Sequence, residues 1–166
     1  MTTTQLRAQL DEVFNARERT NMAPTITVLL GLLELHPDDA EVLYEVGGAY
    51  DTDGQEALAA EYYQRAIDAG LSGKWLRQCF LQFGSTLRNL ERFEESLALF
   101  DAGLARYPGS ESLAIFRVLT LHAMGKTDSA LGTLIELLTD RLDTAEIRRY
   151  EVALRGNAEY LKSLDS

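Results

Sequence analysis

The chain has 166 residues, 46% hydrophobic and 25% charged, with 12 Gly, 3 Pro and 1 Cys, which supports one cored domain and excludes a disordered, collagenous or low-complexity chain. Its 16 Lys+Arg against 26 Asp+Glu give a net charge of −10, and such a surface repels phosphate backbones and anionic lipid heads, so neither nucleic acid nor membrane is an expected partner. The lone cysteine, Cys79, excludes an internal disulfide and a multi-cysteine zinc site and fits a reducing, cytoplasmic setting.

In chain order, Met1 to Asp11 lacks the charged-then-apolar order of a secretory signal, so none is expected. Ile26 to Leu35 is the most apolar stretch, but Thr27, Gly31 and Glu34 interrupt it and it is too short to span a bilayer. Asp38-Asp39 is a helix start signal, and Val42, Leu43, Val46 and Tyr50 then recur at helical spacing. Leu58, Tyr62, Ala66 and Ala69 form the next stripe. Ser110 precedes a further helix with Glu111 in its first turn. Gly54, Gly70, Gly73, Gly109, Gly125 and Gly156 fall between periodic segments and predict turns. In the last segment, Ile147, Tyr150, Leu154, Ala158 and Leu161 share a stripe, and Gly156-Asn157 is expected to split it into two short helices. The pattern predicts about ten helices and no strand, an all-α chain.

The helices repeat. Gly47, Tyr50, Gly54, Ala59, Tyr63 and Ala66 align with Gly84, Leu87, Glu91, Ser96, Phe100 and Gly103 at a constant spacing of 37. That second set aligns with Val118, Leu121, Gly125, Ala130, Leu134 and Leu137 at a constant 34. The three additional residues of the longer interval are assigned to a turn at Gly70-Leu71-Ser72-Gly73-Lys74. Stepping back from the first set gives a weaker unit ending at Pro37, as a later one ends at Pro108.

In these positions the chain resembles the tetratricopeptide repeat, which wants small residues where paired helices touch, large residues around them and proline at the unit's end. Leu81-Gln82-Phe83-Gly84-Ser85-Thr86-Leu87-Arg88-Asn89-Leu90 and Ala69-Gly70-Leu71 are similar to a small bacterial family of stand-alone members with no assigned chemistry. The resemblance implies an all-α right-handed superhelical solenoid of about four hairpins plus a C-terminal cap. On that reading residues 1–166 are one domain, with repeats at 6–39, 40–76, 77–110 and 111–142 and a cap at 143–166. It also implies a homodimer, and non-catalytic binding of a protein or peptide in a concave groove lined by each unit's first helix.

Carried onto this sequence, the groove is Arg7, Leu10, Phe14 and Arg17, then Glu41, Tyr44, Gly48 and Asp51. It continues through Gln78, Leu81, Ser85, Arg88 and Asn89, then Ser112, Ile115, Leu119 and His122. Its centre (Leu10, Phe14, Tyr44, Leu81, Ile115, Leu119) is apolar, and an exposed stripe of that kind normally has an occupant. Candidates are a partner's amphipathic helix, a second copy, or the chain's own terminal helix. The cationic clamp with which related domains hold chaperone C-termini is absent, since Tyr44, Gly48, Gln82, Ser112 and Phe116 occupy its positions.

No catalytic, metal or cofactor site is expected. His36 and His122 have no Glu or Cys at ligand spacing. Asp51-Thr52-Asp53-Gly54 fails as a calcium loop, because Ala49 and Ala60 stand where chelators belong. Gly73-Lys74 fails as a phosphate loop, with Asp68 and Trp75 at required Gly and Ser/Thr positions. From Asp38 to Glu61 there are eight acids and no base, followed by Lys74, Arg77, Arg88, Arg92 and Arg106. This is either ordinary solvated faces, a dock for a basic partner, or acid-to-base contact between two copies. Two rival functions stand beside the scaffold: a secretion chaperone sheltering an exported protein, and an enzyme using Tyr44, Asp51, Arg88 and His122.

Overall fold

A computed structural model describes residues 3–165. Among the described residues the chain forms nine helices and no strand, an all-α helical repeat. In order they are α1 (Thr3–Ala16), α2 (Ala23–Leu35), α3 (Ala40–Thr52), α4 (Glu56–Asp68), α5 (Gly73–Asn89), α6 (Phe93–Arg106), α7 (Glu111–Ala123), α8 (Thr127–Arg141) and α9 (Ala145–Leu164). None of them is long and apolar enough to cross a membrane. The chain divides into two compact units, Met1–Leu90 and Glu91–Ser166.

In the first unit α3 starts on the Asp39 side chain, which accepts from the backbone N–H groups of Glu41 and Val42 at 3.0 and 3.1 Å. Helix α2 instead carries Pro at its first positions, where no intrahelical donor is lost. Leu6, Leu10, Met22, Ile26, Leu29, Leu32, Val42, Val46 and Ala49 make one core between α1, α2 and α3. Helices α3 and α4 are the closest pair in this unit, because Gly47 lies against the Tyr63 ring. A Cβ at Gly47 would stand 2.8 Å from Tyr63 Cδ1, inside any tolerable contact.

In the second unit Val118, Leu121 and Ala130 form a core with Leu97 and Leu134. Ser96 and Thr120 satisfy each other's buried hydroxyls at 3.0 Å. Helix α9 lies along α8, and a Cβ at Gly132 would come within 2.6 Å of the Ala158 carbonyl oxygen. Arg155 pairs with Asp140, Lys162 with Glu136, and Asp165 accepts from the Ser129 N–H.

Two expectations are corrected. Gly156-Asn157 does not break the last segment: α9 runs unbroken for 20 residues. An interior glycine costs about 1 kcal/mol, and here the packed face centred on Ala158, fully buried, offsets it. Asn157 also donates to the Ala153 carbonyl one turn back at 2.8 Å, keeping its side chain within helical geometry. The helix count falls to nine for this reason. Second, Gly73-Lys74 is not turn but the first turn of α5, which has 17 residues against 13 in α3 and α7. The longer repeat spacing is spent on extra helix at the start of α5.

The three aligned turn positions Gly54, Glu91 and Gly125 all adopt positive φ, at 79°, 59° and 79°. In the two glycine turns the next residue's N–H reaches back to a helix carbonyl: Gln55 to Tyr50 at 2.9 Å and Lys126 to Leu121 at 3.0 Å. Glu91 holds the same conformation with a Cβ, which costs about 1 kcal/mol in left-handed geometry. Glu91→Gly is therefore expected to stabilise by about 0.5–1 kcal/mol, read as a higher thermal midpoint. An unchanged or lower midpoint would mean that the residue bears no strain.

Candidate functional site

Helix α3 lies beside both α1 and α5, so the first unit presents the first helices of successive hairpins side by side. Between them is a cleft of about 460 Å3 lined by Phe14, Arg17, Arg19, Tyr44, Glu45, Trp75, Arg77, Gln78, Leu81 and Gln82.

Beside it one guanidinium is shared among three carboxylates. Arg7 on α1 donates to Asp11 at 2.7 Å, to Glu41 at 2.9 Å and to Glu45 at 3.1 Å, and its guanidinium sits 4.2 Å from the centre of the Trp75 ring. Burial by itself lowers the Arg7 pKa, but the three carboxylates outweigh it and the net shift is upward. Glu45 shows the reverse balance: burial pushes its carboxyl up, against the pull of Arg7. Lys74 covers Trp75 at 4.3 Å. Tyr44 packs against Trp75 at 5.9 Å between ring centres and donates to Gln78 Oε1 at 3.5 Å. Burial raises the Tyr44 phenol, so it stays protonated.

The rim is cationic. Arg17 lies over the Phe14 ring at 3.5 Å; burial first, then the like charge of Arg19, lowers its pKa. The chemistry on offer is apolar contact on Phe14, Tyr44, Trp75 and Leu81, flanked by guanidinium donors.

Of the groove residues read from the sequence, the structure brings Phe14, Arg17, Tyr44, Gln78 and Leu81 together here. Leu10 is corrected: it is 1% exposed and belongs to the core with Leu6. On α1 the Leu6, Leu10 and Val13 face turns inward, while Phe14, and Arg17 just past the helix end, line the cleft. Glu41 is engaged by Arg7 beside the cleft. Asp51, Ser85, Arg88 and Asn89 lie further along α3 and α5 and do not line it. There Asp51 accepts from Thr86 at 3.0 Å and Tyr63 at 3.4 Å, its carboxyl raised by burial, and Asn89 donates to Glu56 at 2.8 Å. Burial lowers the Arg88 pKa. In the second unit Ile115, Leu119 and His122 share an exposed face of α7.

Sequence reasoning missed Arg19, Glu45, Trp75, Arg77 and Gln82. Trp75 sits three residues before Gln78 and six before Leu81, one face of a helix once α5 is known to begin at Gly73. Among the described residues no group of three or more His, Cys, Asp or Glu could hold a metal. The Cys79 thiol is fully buried and pushed up to about 12 by that burial, which removes the reactive thiolate.

A family model described as tetratrico peptide repeat matches residues 40–161, from the first residue of α3 into α9. No curated protein matches the chain.

Proposed function

The chain belongs to the tetratricopeptide repeat family, whose repeats generally mediate protein–protein interaction, and we propose that it is a non-catalytic module gripping a protein or peptide in the α1/α3/α5 cleft. The observation that carries this reading is the cleft itself, where Phe14, Tyr44, Trp75 and Leu81 offer apolar contact beside α1, α3 and α5. Its volume falls within the roughly 300–1,000 Å3 typical of ligand pockets.

The enzyme alternative has less support. Tyr44 lines the cleft, but Asp51 is committed to Thr86 and Tyr63 and Arg88 lies outside it, so these groups do not converge on one reacting centre. For a secretion chaperone no observation speaks specifically. Self-association fits the exposed apolar side chains of α9, among them Val152 at 88% and Tyr160 at 62%. Net charge −10 and one buried cysteine support a cytoplasmic protein with no nucleic-acid partner.

The test is affinity purification with wild type, Tyr44→Glu and Leu81→Glu, with light scattering for mass. Leu81 is half-buried at the cleft, so Leu81→Glu is expected to keep the fold and abolish partner retention. Retention of every partner by a folded Leu81→Glu chain would rule the cleft out.

A further inference from the structure

The cleft in the first unit carries a sign of charge opposite to that of the chain. The protein as a whole is at −10, yet the titratable groups lining the cleft are Arg17, Arg19, Arg77, Glu45 and Tyr44. Glu45 is already bound by Arg7 at 3.1 Å, and Tyr44 is held neutral. Three guanidiniums therefore line the cleft against one carboxylate, which Arg7 already engages and which Arg17 feels only at longer range, and among the described residues none of the three forms a salt bridge within the chain. Arg17 and Arg19 are close enough for their like charges to repel, which is part of why Arg17's pKa is lowered. A bound anion relieves that repulsion. Phe14, Tyr44, Trp75 and Leu81 line the same cleft, and they reward a flat or branched apolar group rather than a bare ion.

From this we infer that the cleft's occupant is an acidic peptide segment of a partner protein, with carboxylates flanking one aromatic or branched apolar side chain. The apolar side chain seats on Trp75 and Leu81 while the carboxylates reach Arg17, Arg19 and Arg77, whose planar forks suit them. The inference rests on the cleft being the binding site and adds to it the chemistry of what binds. A single-stranded nucleic acid also stacks on aromatics beside arginine, but a phosphate backbone extending past the cleft meets the acidic remainder of the surface.

Trp75 is the chain's sole tryptophan and lines the cleft, so its fluorescence reports occupancy directly. The probe is a terminally blocked Glu-Asp-Phe-Asp-Glu peptide, compared with versions carrying lysine for every acid or alanine for phenylalanine, and with a short oligothymidylate. The acidic peptide is expected to shift Trp75 emission saturably, with affinity falling as salt is raised. Arg17→Glu and Arg77→Glu are each expected to weaken it at least about tenfold, with unchanged circular dichroism since neither arginine holds a salt bridge. Replacing the phenylalanine is expected to weaken it as well.

No response to the acidic peptide, equal response to the lysine peptide, stronger response to oligothymidylate, or indifference to both charge reversals overturns the inference. If that happens while Leu81→Glu still abolishes partner retention, the cleft remains the binding site and only the acidic chemistry is wrong. If the peptide binds as expected while Leu81→Glu leaves partner retention intact, the cleft takes acidic peptides but is not where the partner docks, and the proposed function falls with the assignment of a partner segment to the cleft.

Discussion

Tyr63→Ala is expected to cost about 3–5 kcal/mol, the range for deleting a buried aromatic ring. Tyr63 is 0% exposed and joins three helices. Its ring fills the space left by Gly47 on α3 and packs at 6.0 Å from Phe83 on α5 and 6.1 Å from Tyr44. Its hydroxyl donates to Asp51 at 3.4 Å. Tyr63→Phe keeps the ring and loses only that long hydrogen bond, so its cost should stay near 1 kcal/mol or below. Gly47→Ala tests the same contact from the other side. Alone it forces a Cβ into the ring and should cost about 1–3 kcal/mol; in the Tyr63→Ala background the space is free and the cost should vanish. Urea denaturation of the four chains gives the coupling. Additive losses would mean that Gly47 and Tyr63 do not meet as described.

Arg7→Ala is expected to be the next most damaging change, at about 2–3 kcal/mol near neutral pH. That figure lies below the range for a fully buried pair because the Arg7 side chain is 19% exposed, while its partner Glu45 is 9% exposed. Removing the guanidinium strands a carboxylate whose pKa burial already raises. A raised folded-state pKa means that the folded chain holds the Glu45 proton where the unfolded chain has released it. Stability is then lost as pH climbs from the ordinary carboxylate range through the folded value. Without Arg7 that folded value rises further, so the variant's deficit should be smaller near about pH 5 than near about pH 8. Arg7→Ala/Glu45→Gln should recover part of the loss, because no charge is left buried. Equal deficits at both pH values and no recovery would assign Arg7's contribution to its packing on Trp75 alone.

The period was the most legible feature of the sequence. Spacings of 37 and 34 placed Ala59, Tyr63 and Ala66 at helix contacts, and all three are fully buried. They also paired Gly54, Glu91 and Gly125, whose shared positive φ is visible only in coordinates. First-helix register was enough to collect Phe14, Tyr44, Gln78 and Leu81. It failed at Leu10, because the first unit was fixed by counting back rather than by its own pattern. A glutamate in mid-helix reads as solvated; Glu45 is buried because Arg7 reaches it from 38 residues away, a pairing that no local pattern announces. Gly70 and Gly73 read as one loop, which concealed the additional turn that delivers Trp75 to the cleft. Glycine likewise misled at Gly156, where packing outweighed propensity.

The notch at Gly132 sets how the terminal helix can be released. A Cβ there has no room beneath the Ala158 carbonyl, so α8 and α9 meet backbone to backbone at that crossing. Sliding α9 along its neighbour brings bulkier positions over the notch, which denies it intermediate seats. The contact favours one seat for α9, and hydrogen exchange along its buried face is expected to report one concerted opening rather than gradual fraying.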